Sequence, residues 1–162
     1  RAEASQGQWD KAVAHVDQAL ALQPADREAL SLRCRLRVVQ GNSESALTDC
    51  KALQEIAPED RAVKLRVAGL LARANRLDEA SALVSEVAKS VPDHPAVQFR
   101  RDQVEARRGN KEALKRIAIL AERRATDPEI WWEVHTLASQ SKKRSLVQKA
   151  KSELQKLGLT VK

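Results

Sequence analysis

The feature that most restricts the fold of this chain is an internal repeat of constant period, the step from Gly7 to Gly41. Gly or Asn recurs at this step, and so does proline, at Gly7, Gly41, Asn75, Gly109, Pro24, Pro58 and Pro92. A small and an apolar residue keep the same period, at Ala12, Ala46, Ala80, Ala19, Leu53 and Val87. Glycine and asparagine accept the left-handed backbone that ends a helix, and proline stops one. The repeat predicts a unit of helix, short turn, helix and turn.

The composition favours helices throughout the chain. Only 2% of the residues are aromatic, Tyr is absent, and there are 5 Gly and 5 Pro. Sheets and turns draw on those residues, whereas Ala, Leu, Arg, Glu and Gln are good helix formers. We therefore expect an all-α protein whose helices are a remnant Arg1–Gln6, then Gln8–Leu22, Arg27–Gln40, Ser43–Ile56, Arg61–Ala74, Leu77–Val91, Ala96–Arg108, Lys111–Ala125, Glu129–Ser139 and Lys142–Leu157.

The period divides the chain into successive units of a single array. They are a partial repeat 1–24, repeats 25–58, 59–92 and 93–128, and a C-terminal capping helix pair 129–162. The fourth unit is irregular, because Ala113 follows Ala80 one position early and Pro128 follows Pro92 two positions late. This spacing predicts one residue lost in its turn and three gained before its proline. The short first segment, which begins with Arg1, predicts an excerpt of a longer protein with more repeats upstream.

With this period, about 34 residues, and these columns, the chain resembles the tetratricopeptide repeat family. The residues that carry the resemblance, over about residues 7 to 110, are Gly7, Trp9, Ala12, Ala19, Pro24, Gly41, Ala46, Leu53, Pro58, Ala68, Asn75, Ala80, Val87 and Pro92. The resemblance implies a right-handed superhelical solenoid of antiparallel helix pairs, with first helices lining a concave groove. It also implies a non-enzymatic protein–protein interaction scaffold. For a bacterial source, to which the abundant Arg and Ala point, it implies an envelope, secretion or polysaccharide-export assembly.

Basic residues concentrate on the helices that the resemblance assigns to the groove. The net charge is +7, and the three complete first helices carry 12 basic against 3 acidic side chains. Arg66 and Arg73 are seven residues apart, as are Arg100 and Arg107, so the two arginines of each pair share a helix face. Guanidinium groups suit carboxylate or phosphate ligands. The sequence predicts an acidic or extended segment of a partner protein held by Arg35, Arg66, Arg73, Arg100, Arg107 and Phe99.

Three alternatives remain open at this level. The arginines also fit a solvated surface that pairs with neighbouring acids. A sequence pI of about 9.7 also fits an RNA-binding helical repeat, although the aromatic residues that stack on bases are scarce. The chain also fits a docking or regulatory segment of a larger enzyme.

The sequence contains no catalytic or metal-binding motif, so we expect neither an enzyme nor a cofactor. His15, His94 and His135 lie in different units. Cys34 and Cys50 are predicted to be buried packing thiols, with a disulfide as the alternative. The adjacent Trp131 and Trp132 point about 100° apart on a helix, which predicts one in the core and one as an exposed anchor.

Overall fold

The computed structural model describes the backbone of residues 2–161 and the side chains of residues 7–161. Within residues 2–161 the chain forms nine helices and no strand, which confirms the all-α solenoid of helix pairs. The helices are α1 (Ala2–Leu22), α2 (Arg27–Val39), α3 (Ser43–Ile56), α4 (Arg61–Arg73), α5 (Leu77–Ala88), α6 (Pro95–Arg107), α7 (Lys111–Arg123), α8 (Pro128–Gln140) and α9 (Arg144–Lys156).

Polar caps and left-handed turns set the helix ends. Asp26 starts α2 by accepting a 2.8 Å hydrogen bond from the amide of Ala29, and Asp60 accepts from two amides at the start of α4. A residue of positive φ joins the two helices of each of the last four pairs: Gly41 at 77°, Asn75 at 61°, Gly109 at 97° and Lys142 at 55°. The Gly or Asn column therefore turns the chain at three of its four predicted positions.

Gly7 is the exception, and the prediction of a turn there is wrong. Helix α1 runs unbroken from Ala2 to Leu22 and passes through Gly7. Glycine permits a left-handed turn without imposing one, and no cap residue starts a new helix directly after Gly7. The predicted remnant therefore belongs to one helix with Gln8–Leu22, except for Arg1, which lies outside the described residues.

The irregularity of the fourth unit also differs from the prediction. Helices α3, α5 and α7 begin at Ser43, Leu77 and Lys111, which keeps the full period, so the turn within the fourth unit has lost nothing. Pro128 is the first residue of α8, as Pro95 is of α6, and the step between these two prolines is one residue shorter than the period. Proline is favoured at the first helical position because its missing N–H has no partner there anyway. One residue is thus lost between α7 and α8, and none is gained.

Each pair packs through small and apolar residues along one face. Ala46 and Ala80, the small residues of the second helices, are fully buried, which lets the two helices of a pair lie close together.

Cys34 of α2 and Cys50 of α3 are also fully buried, with Cα atoms 5.5 Å apart, and the structure joins them in a disulfide. That Cα separation suits the bond. The expectation of two free packing thiols is therefore corrected.

Helix α8 of the last pair contacts the end of α2. The indole N–H of Trp132 on α8 donates a 2.7 Å hydrogen bond to the carbonyl of Val39 at the end of α2. Its ring lies over Gly41, where a β-carbon would come within 3.0 Å of ring atoms. Trp132 is half-buried and bound to the end of α2, so the prediction of an exposed anchor is wrong for it. Trp131 is 2% exposed, as predicted for the core member.

Candidate partner-binding groove

The predicted arginines lie on the first helices of three pairs and face α8. Arg35 is on α2, Arg66 and Arg73 are on α4, and Arg100 and Arg107 are on α6. Helix α8 contacts both α2 and α6, and its glutamates reach the arginines of α4 and α6. The inner side of the solenoid therefore holds a cationic cluster with a helix of the same chain across it.

Glu133 of α8 neutralises the deep end of this cluster. Its carboxylate is fully buried and accepts a 3.0 Å hydrogen bond from Nε of Arg73 and another from Nε of Arg107. Nη2 of Arg73 also donates to the carbonyl of Glu129 at 3.2 Å. The side chains of Arg73 and Arg107 are 8% and 3% exposed. These two arginines are structural contacts of α8, which corrects the prediction of a free array.

Arg100 is held in a trough on the surface of α4. Its guanidinium lies over Gly69, where a β-carbon would come within 2.6 Å of Cζ. It donates at 3.0 Å to the amide oxygen of Gln103, and it donates through Nη2 to Glu129. The same guanidinium lies 4.8 Å from the ring centroid of Phe99, a cation–π contact. The missing side chain at position 69 thus creates the space for a fixed cation.

Arg66 and Arg35 make neither a hydrogen bond nor an ion pair within the side chains that the structure describes. Arg66 is half-buried beside Glu129, Arg100 and Arg35, and Arg35 is exposed. Burial lowers the pKa of Arg66, and the positive charges of Arg100 and Arg35 lower it further, whereas the charge of Glu129 raises it. Arg35 and Arg66 are therefore the predicted groove residues that keep unpaired charge.

Two further arginines of α2 hold that helix to α3, its partner within the pair, and to α1. Arg33 and Arg37 both bind the buried carboxylate of Asp49 on α3, at 2.7 Å each, and Arg33 also reaches Asp17 of α1 at 2.6 Å. For these residues the alternative of pairing with neighbouring acids is the correct one. Leu32, one turn before Arg35 on α2, is 46% exposed and adds an apolar surface near it.

The arginines around Glu129 strongly lower the pKa of its carboxyl group. Burial alone would raise its pKa, but the charges of Arg100 and Arg73, the hydrogen bond from Arg100 and the charge of Arg66 hold it at about 2. The ordinary value is 4.5. The carboxylate therefore stays ionised far into the acid range, and its ionised form stabilises the fold.

This shift gives a pH dependence that one substitution removes. Because the folded-state pKa is depressed, the stabilisation by Glu129 is complete above pH 4.5 and is lost as the pH falls towards 2. Between those limits the free energy of unfolding should fall by about 2–3 kcal/mol more in the wild type than in Glu129→Gln. Urea unfolding at a series of pH values measures this difference. Parallel pH curves for the two proteins would contradict it.

Sequence reasoning missed the acids of α8, although a signal for them exists. Arg66 and Arg100 occupy one repeat column, and with the lost residue counted the next member of that column is Glu133. The charge of the column thus reverses in the last pair. Glu129 lies one turn before Glu133 on the same helix face. Gly69 and Gln103 gave no such signal, because their roles depend on contacts between α4 and α6.

Neither a metal centre nor a membrane span is found in the described part of the chain. No group of three or more His, Cys, Asp or Glu side chains comes together there in a way that holds an ion. None of the described helices combines the length and apolar character that crossing a bilayer requires.

Comparisons with known proteins agree with this architecture. A sequence model of the tetratricopeptide repeat matches residues 40–99. A crystal structure of a tetratricopeptide repeat protein from Parabacteroides merdae is similar with a TM-score of 0.60 and 19% identity, over 94% of this chain. This chain spans 59% of that protein. No curated protein sequence matches.

A second similar structure is YrrB, described as a tetratricopeptide repeat protein with an unusual peptide-binding site. The TM-score is 0.55 with 15% identity, and the likeness covers 95% of this chain and 80% of YrrB. At these identities both structures show the shared fold, which is a solenoid of stacked helix pairs.

Proposed function

We propose that the chain belongs to the tetratricopeptide repeat family and that it is a non-enzymatic scaffold that binds a partner protein. The partner contributes an acidic or extended segment, and the inner groove receives it. The observation that carries this proposal is the unpaired charge of Arg35 and Arg66 on the inner face. Stacked helices hold both side chains in place, so little ordering cost falls on the receptor.

The binding surface proposed here is smaller than the one expected from the sequence. It consists of Arg35 and Arg66, with Leu32 and Phe99 as apolar neighbours, and Arg100 at its edge. Arg73 and Arg107 support it from below through Glu133. Each exposed ion pair contributes only about 0.2–1 kcal/mol, so the apolar neighbours are needed for useful affinity, and binding should weaken with salt.

Two further observations support a protein as the ligand. YrrB, which shares the fold, is described as having a peptide-binding site. The neutralisation of Arg73 and Arg107 by Glu133 leaves the groove with too few free cations for a long phosphate backbone. The Arg- and Ala-rich composition supports a bacterial source, and with it a place in an envelope, secretion or polysaccharide-export assembly.

The test is affinity capture from native lysate with a charge-reversed groove. The variant is Arg35→Glu with Arg66→Glu. The matched control is Lys89→Glu with Lys111→Glu, two exposed residues at the end of α5 and the start of α7. We expect a partner captured by the wild type and by the control to fall at least about tenfold with the groove variant. Unchanged helicity by circular dichroism shows that the fold is intact. Equal recovery from all three proteins would contradict the proposal.

A further inference from the structure

We infer that Glu129 fills a carboxylate-binding site of this protein from within, and that an aspartate or glutamate side chain of the partner takes its place. The site consists of Arg100 and Arg66, with Arg35 at its outer edge. The inference rests on the proposed function, because it assumes that the partner approaches the same groove. It adds the chemical group that is recognised and the internal group that is exchanged.

The geometry around Arg100 is that of a prepared anion site. Gly69 leaves room for the guanidinium, Gln103 accepts one of its N–H groups at 3.0 Å, and Phe99 lies beneath it. Gln103 is itself fixed, because its amide nitrogen donates at 3.2 Å to the carbonyl of Gly69. The remaining face of the guanidinium points to the carboxylate of Glu129. Because the planar guanidinium of Arg100 is held in one orientation, it favours a planar carboxylate over a flexible or neutral ligand.

At this site the arginines outnumber the carboxylates that neutralise them. Arg66, Arg100 and Arg35 lie together. The acids that act on Arg66 are Glu129, which Arg100 binds, and more weakly Asp60, which pairs with Arg27. The charge of Glu129 acts on Arg66, but Arg66 makes no hydrogen bond to Glu129 within the described side chains. Within residues 7–161 Glu129 therefore forms an ion pair with Arg100 alone, and Arg66 and Arg35 remain able to attract a second carboxylate. A partner acid that bridges Arg66 and Arg100 gains both.

Glu129 and Glu133 differ in whether exchange is feasible. Glu133 is fully buried between two arginines, so its removal from the site would open the solenoid. Glu129 is 27% exposed at the first turn of α8, and its side chain can rotate into water while α8 stays in place. The exchange therefore needs a rotamer change of Glu129 and leaves the helix pairs as they are.

The experiment measures binding of a fluorescent oligoglutamate peptide at low ionic strength by anisotropy. Glu129→Gln removes the internal carboxylate and keeps its size, and we expect it to bind the peptide about fivefold more tightly than the wild type. Glu122→Gln is the matched control, because Glu122 is exposed on α7, pairs with Lys149 and changes the net charge equally. We expect its affinity to stay within about twofold of the wild type.

Three outcomes decide the matter. Tighter binding by Glu129→Gln alone supports the inference. Equal binding by Glu129→Gln and the wild type overturns it, while a loss of binding by Arg35→Glu with Arg66→Glu in the same assay leaves the proposed groove standing. Absence of binding by every protein, with no partner captured from lysate, overturns the inference and the proposed function together.

A second measurement uses the wild-type protein and so does not depend on the folding of a variant. The carboxyl carbon resonance of Glu129 is followed by NMR during titration with the same peptide. Displacement from Arg100 should move this resonance towards that of a free glutamate. Saturation of the groove with an unmoved resonance would overturn the inference.

Discussion

Replacement of Glu133 by alanine is expected to lower the free energy of unfolding by about 3–5 kcal/mol. The carboxylate is fully buried and accepts hydrogen bonds from both Arg73 and Arg107. Its removal leaves two guanidinium groups buried without an anion, and such uncompensated charge is among the most destabilising changes in a protein interior. Urea unfolding followed by far-ultraviolet circular dichroism measures the change.

Two companion variants separate this effect from a general loss of charge. Glu122→Ala breaks an exposed pair with Lys149 and should cost less than about 1 kcal/mol. Glu133→Gln keeps an oxygen acceptor but no charge, and it should fall between the wild type and Glu133→Ala. If Glu133→Ala were as stable as Glu122→Ala, the buried ion pairs would not hold α8 in the groove.

Replacement of Trp131 by alanine should also cost about 3–5 kcal/mol. The side chain is 2% exposed within the hydrophobic cluster that includes Leu114, Ile117 and Leu154. Its indole N–H donates at 3.0 Å to the carbonyl of Ala125. Truncation leaves a large cavity and an unpaired carbonyl, and the total stability of a domain of this size is only about 5–15 kcal/mol.

The matched control for Trp131 is Leu22→Ala, because Leu22 is 85% exposed. Its midpoint in urea should stay at the wild-type value, whereas that of Trp131→Ala should fall markedly. Trp131→Phe, which refills much of the cavity, should recover part of the loss. A Trp131→Ala protein with an unchanged midpoint would show that the last two helix pairs do not share a common core.

The repeat predicted most of the fold, because each unit carries its own helix signals. The turns at Gly41, Asn75 and Gly109 and the small residues Ala46 and Ala80 are local requirements of one helix pair, repeated along the chain. Gly7 failed as a turn because a glycine column alone does not stop a helix. The prediction that Pro128 ends a unit failed for a related reason, since proline occurs both after the end of a helix and at its first position.

The state of the candidate site was far less accessible to sequence reasoning. The shared helix faces of Arg66 with Arg73 and of Arg100 with Arg107 followed from their spacing. The acid that pairs with Arg100 is Glu129 of α8, which acts on Arg66 only through its charge. The hydrogen bond from Trp132 to Val39 joins residues 93 positions apart. Contacts of this kind depend on the summed rotation of several units, and the one-residue loss before α8 shifts that sum.

The contact between Trp132 and the end of α2 has a consequence for how the molecule melts. An open row of repeats behaves as a chain of nearest neighbours, so its end units fray before the middle does. Here α8 is bound to the end of α2, so the helix pairs between them are connected by a contact that is not between nearest neighbours. Heat should therefore unfold the helices from α2 to α8 in a single cooperative step.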